Sequence, residues 1–264
     1  MGEVEVDLYW VAGQANIEAL ARQDEVLDAT EQDRIMRYVR VSDKRLFRAA
    51  HVLLRRSLSR HANISPEQWR FISNRDGRPE IDHHIHTEIQ PLRFNLSHTG
   101  HFACCGITRE VAVGVDVEQD RRIPRVEMLA KRFFAPAEAA VVAGLDPALQ
   151  VASFLKFWTL KEAALKATGG GLRGGLDLFS FQIKGQTLVT TISAQSEMTQ
   201  AQREAWRFVL LQVGQAPWTL AVAVASAQKV LLRIHPCCPH GPISTPSLLA
   251  SSPDVTVQLR PNLG

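Results

Sequence analysis

Residues 4–11 alternate enough between apolar and polar positions, with Tyr9 and Trp10 among them, to predict a first strand. Residues 17–27 change to helical spacing, and a longer helical region follows. Between residues 43 and 59, Leu46, Phe47, Ala50, Leu53, Leu54 and Leu58 return at steps of three and four, which sets arginines on the opposite face. Ser42 or Asp43 stands where an N-cap is needed. A short strand at 69–73 runs into Asn74-Arg75-Asp76-Gly77-Arg78-Pro79, a tight turn by its Asp-Gly pair and its proline. Further strands are expected at 93–96, 102–108 and 111–117.

Beyond residue 120 the helical period returns at 126–134 and 136–144, the second opened by Ala135-Pro136. The strongest helix of the chain is predicted over 152–168, and Gly169-Gly170-Gly171 ends it, as glycine does where positive φ is required. Segments 178–183, 188–192, 206–213 and 218–225 read as strands of a mostly antiparallel sheet, because short polar loops separate several of them. The class is α+β. The order of elements repeats without repeated sequence, so two similar α+β halves are expected, residues 1–110 and 111–235. Each has a small, mostly antiparallel sheet with helices, in a pseudo-twofold arrangement, and a ligand belongs in the crevice between them. Residues 236–264, dense in proline and serine, read as a flexible tail.

Composition narrows the class. The chain has 264 residues, 45% hydrophobic and 22% charged, enough to bury a sizeable core. No apolar run approaches the roughly 18 to 20 residues of a membrane span. The start, Met-Gly-Glu-Val-Glu-Val-Asp, is acidic where a secretory signal is basic, and Val6 stands where a myristoylation signal carries Ser or Thr. A cytoplasmic protein is expected. The four cysteines form two adjacent pairs with no C-x-x-C spacing, which speaks against zinc, thiol exchange or a disulfide scaffold. The net charge is only +3, yet Arg34, Arg37, Arg40, Arg45, Arg48, Arg55, Arg56 and Arg60 crowd one region. That concentration suits either an anionic ligand, an acidic partner, or a solvated basic helix face.

Asp116 and Glu118 stand two apart in Gly114-Val115-Asp116-Val117-Glu118, so on a strand they share a face while the valines take the other. Such a pair is either solvated surface or a cation site, and magnesium needs only two or three carboxylates beside waters and phosphates. In Phe157-Trp158-Thr159-Leu160-Lys161-Glu162-Ala163-Ala164-Leu165-Lys166, the residues Trp158, Glu162 and Lys166 form one stripe at four-residue steps. The plain alternative is a surface Glu–Lys pair; the tryptophan at its head argues for a partly buried face. Phe94-Asn95-Leu96-Ser97-His98-Thr99-Gly100 brings hydroxyls, an imidazole and backbone N–H groups to a glycine turn, a good anion site. A Ser97/His98 nucleophile pair is disfavoured, since neighbours on a strand point to opposite faces. Asp82-His83-His84-Ile85-His86 reads as a solvated loop, and His235-Pro236-Cys237-Cys238-Pro239-His240 as a poor tetrahedral metal site.

In this order the segments resemble the 4'-phosphopantetheinyl transferase superfamily, in its larger monomeric, surfactin-synthetase-activating (Sfp-like) branch. The resemblance rests on Asp76 to Pro79, Phe94 to Gly100, Gly114 to Glu118, Arg132-Phe133-Phe134 with Glu138, and Trp158 to Lys166. It implies a holo-[acyl-carrier-protein] synthase type of enzyme that moves the phosphopantetheine arm of coenzyme A onto a serine of an apo carrier protein and releases adenosine 3',5'-bisphosphate. It further implies that Asp116, Glu118 and Glu162 hold Mg²⁺, that Glu162 takes the serine proton and that Lys166 assists the leaving phosphate. Ser97 and His98 would hold phosphates, Gly77 and Arg78 would lie against the nucleotide, and Lys161 would be a further basic contact. Arg34, Arg37 and Arg48, with Arg45 close behind, are the residues chosen for the 3'-phosphate. The implied partners are coenzyme A and the acidic helix of an acyl, peptidyl or polyketide carrier, serving fatty-acid, polyketide or nonribosomal peptide synthesis, with no nucleic acid and no membrane. Two other classes share parts of this equipment. One is another Mg-dependent phosphoryl or nucleotidyl transferase, though no G-x-x-x-x-G-K-[ST] cradle is present. The other is a non-catalytic module binding coenzyme A or an acidic protein, which would have no need of Glu162.

Overall fold

The alternating first segment becomes β1 (Glu3–Ala12), followed by α1 (Gln14–Ala21), α2 (Ala29–Arg37) and α3 (Val41–Leu58). After a short pair, β2 (Phe71–Ser73) and β3 (Pro79–Ile81), come β4 (Leu92–Thr99), β5 (Phe102–Arg109) and β6 (Val113–Gln119). Three helices follow, α4 (Val126–Phe133), α5 (Pro136–Ala143) and α6 (Pro147–Thr168). The chain continues through β7 (Phe179–Lys184), β8 (Thr187–Ile192), α7 (Gln200–Glu204), β9 (Arg207–Val213), β10 (Trp218–Val224), β11 (Lys229–Pro236), β12 (Ser247–Ser251) and β13 (Val255–Leu259). These come from a computed structural model that describes residues 2–263 apart from 75–76, 88, 90, 170–174, 195, 215–217 and 243. The fold is mixed α+β, and among the described residues no helix is long and apolar enough to cross a membrane.

Two main sheets carry the architecture, in the orders β13-β11-β1-β5-β4 and β6-β10-β9-β12-β8-β7. The strands β9 and β10 are largely apolar on both faces because both are covered, whereas β6 is apolar only on the face of its valines. Val115, Val117, Val209, Leu211, Leu220 and Val222 turn toward the core of the first sheet and its helices. Phe208, Leu210, Ala221 and Ala223 turn toward a second core beneath α4, α5 and α6. Directly under α6 the residues are small, with Gly114 opposite Ala223 on the β6–β10 ladder and Ala163 and Ala167 on the helix.

Three expectations are corrected. The first sheet is antiparallel only from β4 through β5 to β1; β11 then pairs parallel with β1, and β13 parallel with β11. The second half therefore returns a strand to the first sheet. Residues 236–264 are no loose tail: β12 is inserted between β9 and β8, and β13 closes the outer edge of the first sheet. Short apolar runs, Leu248 to Ala250 and Val255 with Val257, supply the strands. Side-chain amides pin the proline-rich connection, where Asn16 binds the Gly241 carbonyl and the His240 N–H, and Asn262 brackets both backbone groups of Cys238. Composition pointed to disorder because it does not register such long-range partners. Finally, α3 starts at Val41 with Arg40 as N-cap and no side-chain cap, so neither Ser42 nor Asp43 serves that role.

Candidate functional site

The edge strands β4 and β6 of the two sheets lie side by side and are joined by side chains. Asn95 Oδ1 accepts from the Val115 N–H at 2.8 Å, and Ser97 Oγ accepts from the Val117 N–H at 3.3 Å. Because side chains on a strand alternate, Gly114, Asp116 and Glu118 all face α6. Gly114 permits the approach, since a Cβ at that position would lie 1.9 Å from the Ala163 carbonyl oxygen and 2.5 Å from the Ala167 nitrogen. Helix and strand thus meet backbone to backbone, and the next residues on the same face become the site.

There Lys166 Nζ lies 2.6 Å from Asp116 Oδ1 and donates to Ser97 Oγ at 3.0 Å, while Ser97 Oγ donates to Asp116 at 3.1 Å. Asp116 is buried, and its Oδ2 has no hydrogen-bond partner among the described residues. Burial, and after it the charge of Asp116, raises the carboxyl groups of both Glu118 and Glu162 above the ordinary range. Arg121, 3.7 Å from Glu118, offsets part of that. A cavity of about 300 Å³ opens beside them, bordered by Gly77, Arg78, Phe94, Glu162 and Lys166.

The three carboxylates are brought into one another's field rather than into contact. Among the described residues no three acidic, histidine or cysteine side chains converge closely enough to hold a metal as they stand, and the Lys166 ammonium supplies the positive charge beside Asp116. The donor set nevertheless suits a hard divalent cation, because it is all oxygen, carries one buried oxygen without a partner among the described residues, and has two carboxylates disfavoured by burial and by neighbouring negative charge.

Basic groups line the other side of β4. His98 is open to solvent, yet the surrounding protein removes enough hydration to push it down to about 4, with the charges of His51, Lys166 and Arg34 adding to the effect. The ring is therefore neutral near pH 7. Arg34 sits over the Phe47 ring at 5.4 Å and borders, with Arg37 and Tyr38, a second cavity of about 460 Å³. The helix presenting them, α2, is fastened from below. Asp28 and Glu31 form its capping box, and the fully buried Arg55 of α3 binds both, at 2.7 Å to Asp28 and 2.9 Å to Glu31. Arg48 and Arg45 instead face α1 and its turn, paired with Asp24 at 2.9 Å and Glu18 at 2.5 Å, and neither borders the cavity of Arg34 and Arg37.

Lys161 is a correction. It is fully buried on the far side of α6, where Nζ binds Glu138 at 2.8 Å, the Leu176 carbonyl at 2.8 Å and the Phe179 carbonyl. One residue along a helix rotates the side chain by about 100°, so the neighbour of Glu162 faces the second core. Glu138 completes the arrangement by accepting from the Ala135 and Phe181 N–H groups. Sequence reasoning also passed over Asn95, which ties the two sheets; its place two residues before Ser97 on the same strand face was the available signal. Asp76, Gly170 and Gly171 lie outside the described residues. His86 Nε2 accepts from the Arg70 N–H, which leaves the 82–86 loop as ordinary surface structure.

Both halves of the chain match family models: residues 10–108 the 4'-phosphopantetheinyl transferase N-terminal model, and residues 112–223 that of the 4'-phosphopantetheinyl transferase superfamily. The protein slr0495 of Synechocystis sp., provisionally named a 4'-phosphopantetheinyl transferase, is 36% identical over 58% of this chain and 61% of its own length. The 4'-phosphopantetheinyl transferase HetI of Nostoc sp. is 34% identical over 55% and 61%. The 4'-phosphopantetheinyl transferase gsp of Aneurinibacillus migulanus is 32% identical over 63% and 65%. The matched region thus spans about three fifths of the length of these relatives. With the two matches covering adjoining halves and the seam between them carrying the carboxylates and the lysine, the chain belongs to the 4'-phosphopantetheinyl transferase superfamily.

Proposed function

We propose that the protein transfers the 4'-phosphopantetheine arm of coenzyme A to a serine hydroxyl of an apo carrier protein and releases adenosine 3',5'-bisphosphate, acting as a monomer in the cytoplasm. The observation that carries this reading is that Glu162 and Lys166 border a cavity with Asp116 and Glu118 in their electrostatic field, and that Arg34, Arg37 and His98 lie on the other side of β4. Acidic and basic groups so divided suit a substrate with a diphosphate at one point and a separate phosphate at another. The named transferases among the relatives support the same chemistry.

In this reading the serine oxygen forms a bond to the phosphorus that bears the pantetheine arm, and the bond from that phosphorus to the bridging diphosphate oxygen breaks. Glu162 receives the serine proton. Its carboxyl is raised by burial and by Asp116, which brings its basicity nearer to working pH than that of an exposed glutamate. Lys166 stabilises the charge left on the departing phosphate, and Ser97 keeps that ammonium aimed. Arg34 and Arg37 hold the 3'-phosphate, and His98 contributes a ring that gains a proton more readily as an anion approaches. Asp116, Glu118 and Glu162 would hold Mg²⁺, which when bound neutralises diphosphate charge.

The test is direct. Incubation with coenzyme A, Mg²⁺ and a panel of apo carriers of fatty-acid, polyketide and nonribosomal types should add one phosphopantetheine mass to at least one carrier. Glu162→Gln should slow that transfer by about 10²–10⁴-fold. A panel with no mass change, or a Glu162→Gln protein working at the wild-type rate, would remove the reading and leave a binding module.

A further inference from the structure

Arg78 borders the cavity, but its guanidinium is turned into the seam between the halves. Gly77 adopts φ +78°, and the Asn74 side chain accepts from the Arg78 N–H at 3.0 Å, which directs the side chain inward from the turn. The guanidinium then donates to the carbonyls of Lys166 and of Phe94, the latter at 2.8 Å, and reaches the Val113 carbonyl at the limit of 3.5 Å. These belong to three elements, α6, β4 and the first residue of β6.

The end of α6 is where such a group has most effect. The last carbonyls of a helix lack intrahelical partners and carry partial negative charge. The helix stops at Gly169, φ +74°, where an added Cβ would lie 3.9 Å from Arg78 Nη1, so the guanidinium sits under the last turn. Lys166, whose carbonyl Arg78 binds, is also the residue whose ammonium meets Asp116 and Ser97. A planar, permanently charged fork bridges carbonyls on separate elements, whereas a single ammonium on a flexible stem does not hold the same geometry.

We infer that Arg78 is a positioning residue: by capping the last turn of α6 while gripping β4, it sets Lys166 and Glu162 at their working distance from Asp116. The inference rests on the transferase reading and deepens it, since the guanidinium acts through Lys166 rather than by holding coenzyme A. It separates two roles that sequence alone merges, because a basic residue beside a nucleotide cavity is equally well placed to bind phosphate.

Three measurements on Arg78→Lys and Arg78→Met test it: the kcat and KM split with a carrier that the wild type modifies, coenzyme A affinity by calorimetry, and hydrogen exchange of the amides of residues 165–169. Arg78→Lys should lose kcat on the order of tenfold to a hundredfold, as small misplacements of reacting groups do, with KM and Kd for coenzyme A within about threefold of wild type. Exchange at the end of α6 should be faster on the order of tenfold in Arg78→Met. Should Arg78→Met fail to fold, Arg78→Lys, which keeps charge and stem, carries the exchange readout as well. A coenzyme A Kd raised about tenfold with kcat unchanged would make Arg78 a ligand contact and overturn the inference. Unchanged exchange at residues 165–169 would overturn it too, and that readout needs no turnover. A wild type that modifies no carrier would instead count against the transferase reading alone.

Discussion

On one side of α6, Lys161 and Glu138 form a charge pair sealed from water; on the other, Lys166 stands among Asp116, Glu118 and Glu162 at an open cavity. In the sealed pair the charges match one to one, Glu138 accepts two backbone N–H groups besides Lys161, and Lys161 takes two carbonyls besides Glu138. A cluster in the first half satisfies its polar atoms in the same way. Arg55 satisfies Asp28, Glu31 and the carbonyls of Pro66 and Trp69, and His51 takes the other oxygen of Glu31. The cavity cluster differs, with three carboxylates against the Lys166 ammonium and the exposed Arg121, a buried Asp116 oxygen without a partner among the described residues, and two carboxyls pushed up. Clusters whose buried donors and acceptors are all satisfied hold the fold, while unsatisfied, crowded charge of one sign at a cavity is the condition for binding the other sign.

The contrast can be broken by substitution, and the largest effect is expected in the sealed pair. Lys161→Met leaves the Glu138 charge buried without compensation and should cost about 3–5 kcal/mol in urea unfolding. A loss under about 1 kcal/mol would mean that the pair is no structural lock. Next comes the Arg55 cluster of the first half under acid. Burial alone would raise the Glu31 carboxyl, but hydrogen bonds from His51 and Arg55 and their charges outweigh it and hold it at about 2, below the ordinary 4.5. The depressed value means that the stabilisation is complete above about 4.5 and is lost as pH falls toward about 2. Wild type should lose up to about 3 kcal/mol over that window, and Glu31→Gln, less stable at pH 7, should lose less.

Gly114→Ala tests the contact that puts the two clusters on opposite sides of one helix. The added methyl meets the α6 backbone and should cost about 1–3 kcal/mol, with carrier modification falling further than stability does as Asp116 moves from Lys166. The smallest expected shift is the most diagnostic. Glu118→Gln removes one of the crowded negative charges, so its melting temperature should stay level or rise by about 1–3 °C while Mg²⁺-dependent transfer drops. A lower melting temperature would place Glu118 with the structural clusters instead.

Much of the fold was legible because its signals are local. The alternation from Val4, the three-and-four spacing from Leu46 to Leu58 and the glycine after Thr168 each correspond to an element at nearly the expected position. The parallel pairing of β11 with β1, and the strands β12 and β13, had no local signature of their place. Their partners lie at the far end of the chain or in a sheet begun a hundred residues earlier. The same divide runs through the candidate site. That Asp116 and Glu118 share a strand face and Glu162 and Lys166 a helix stripe was readable from spacing, whereas the way the backbone turns Lys161 on that helix and Arg78 in the turn before β3 was not.

By itself the sequence determined the α+β class, the order of most elements and the set of charged residues that make up the proposed diphosphate site, since periodicity and spacing act within a few residues. Only the tertiary structure decided which of those charges are enclosed and which are offered to a ligand. That choice depends on a backbone contact at Gly114, on the rotation of α6 about its axis, and on partners such as Glu138 for Lys161 and the Lys166 carbonyl for Arg78.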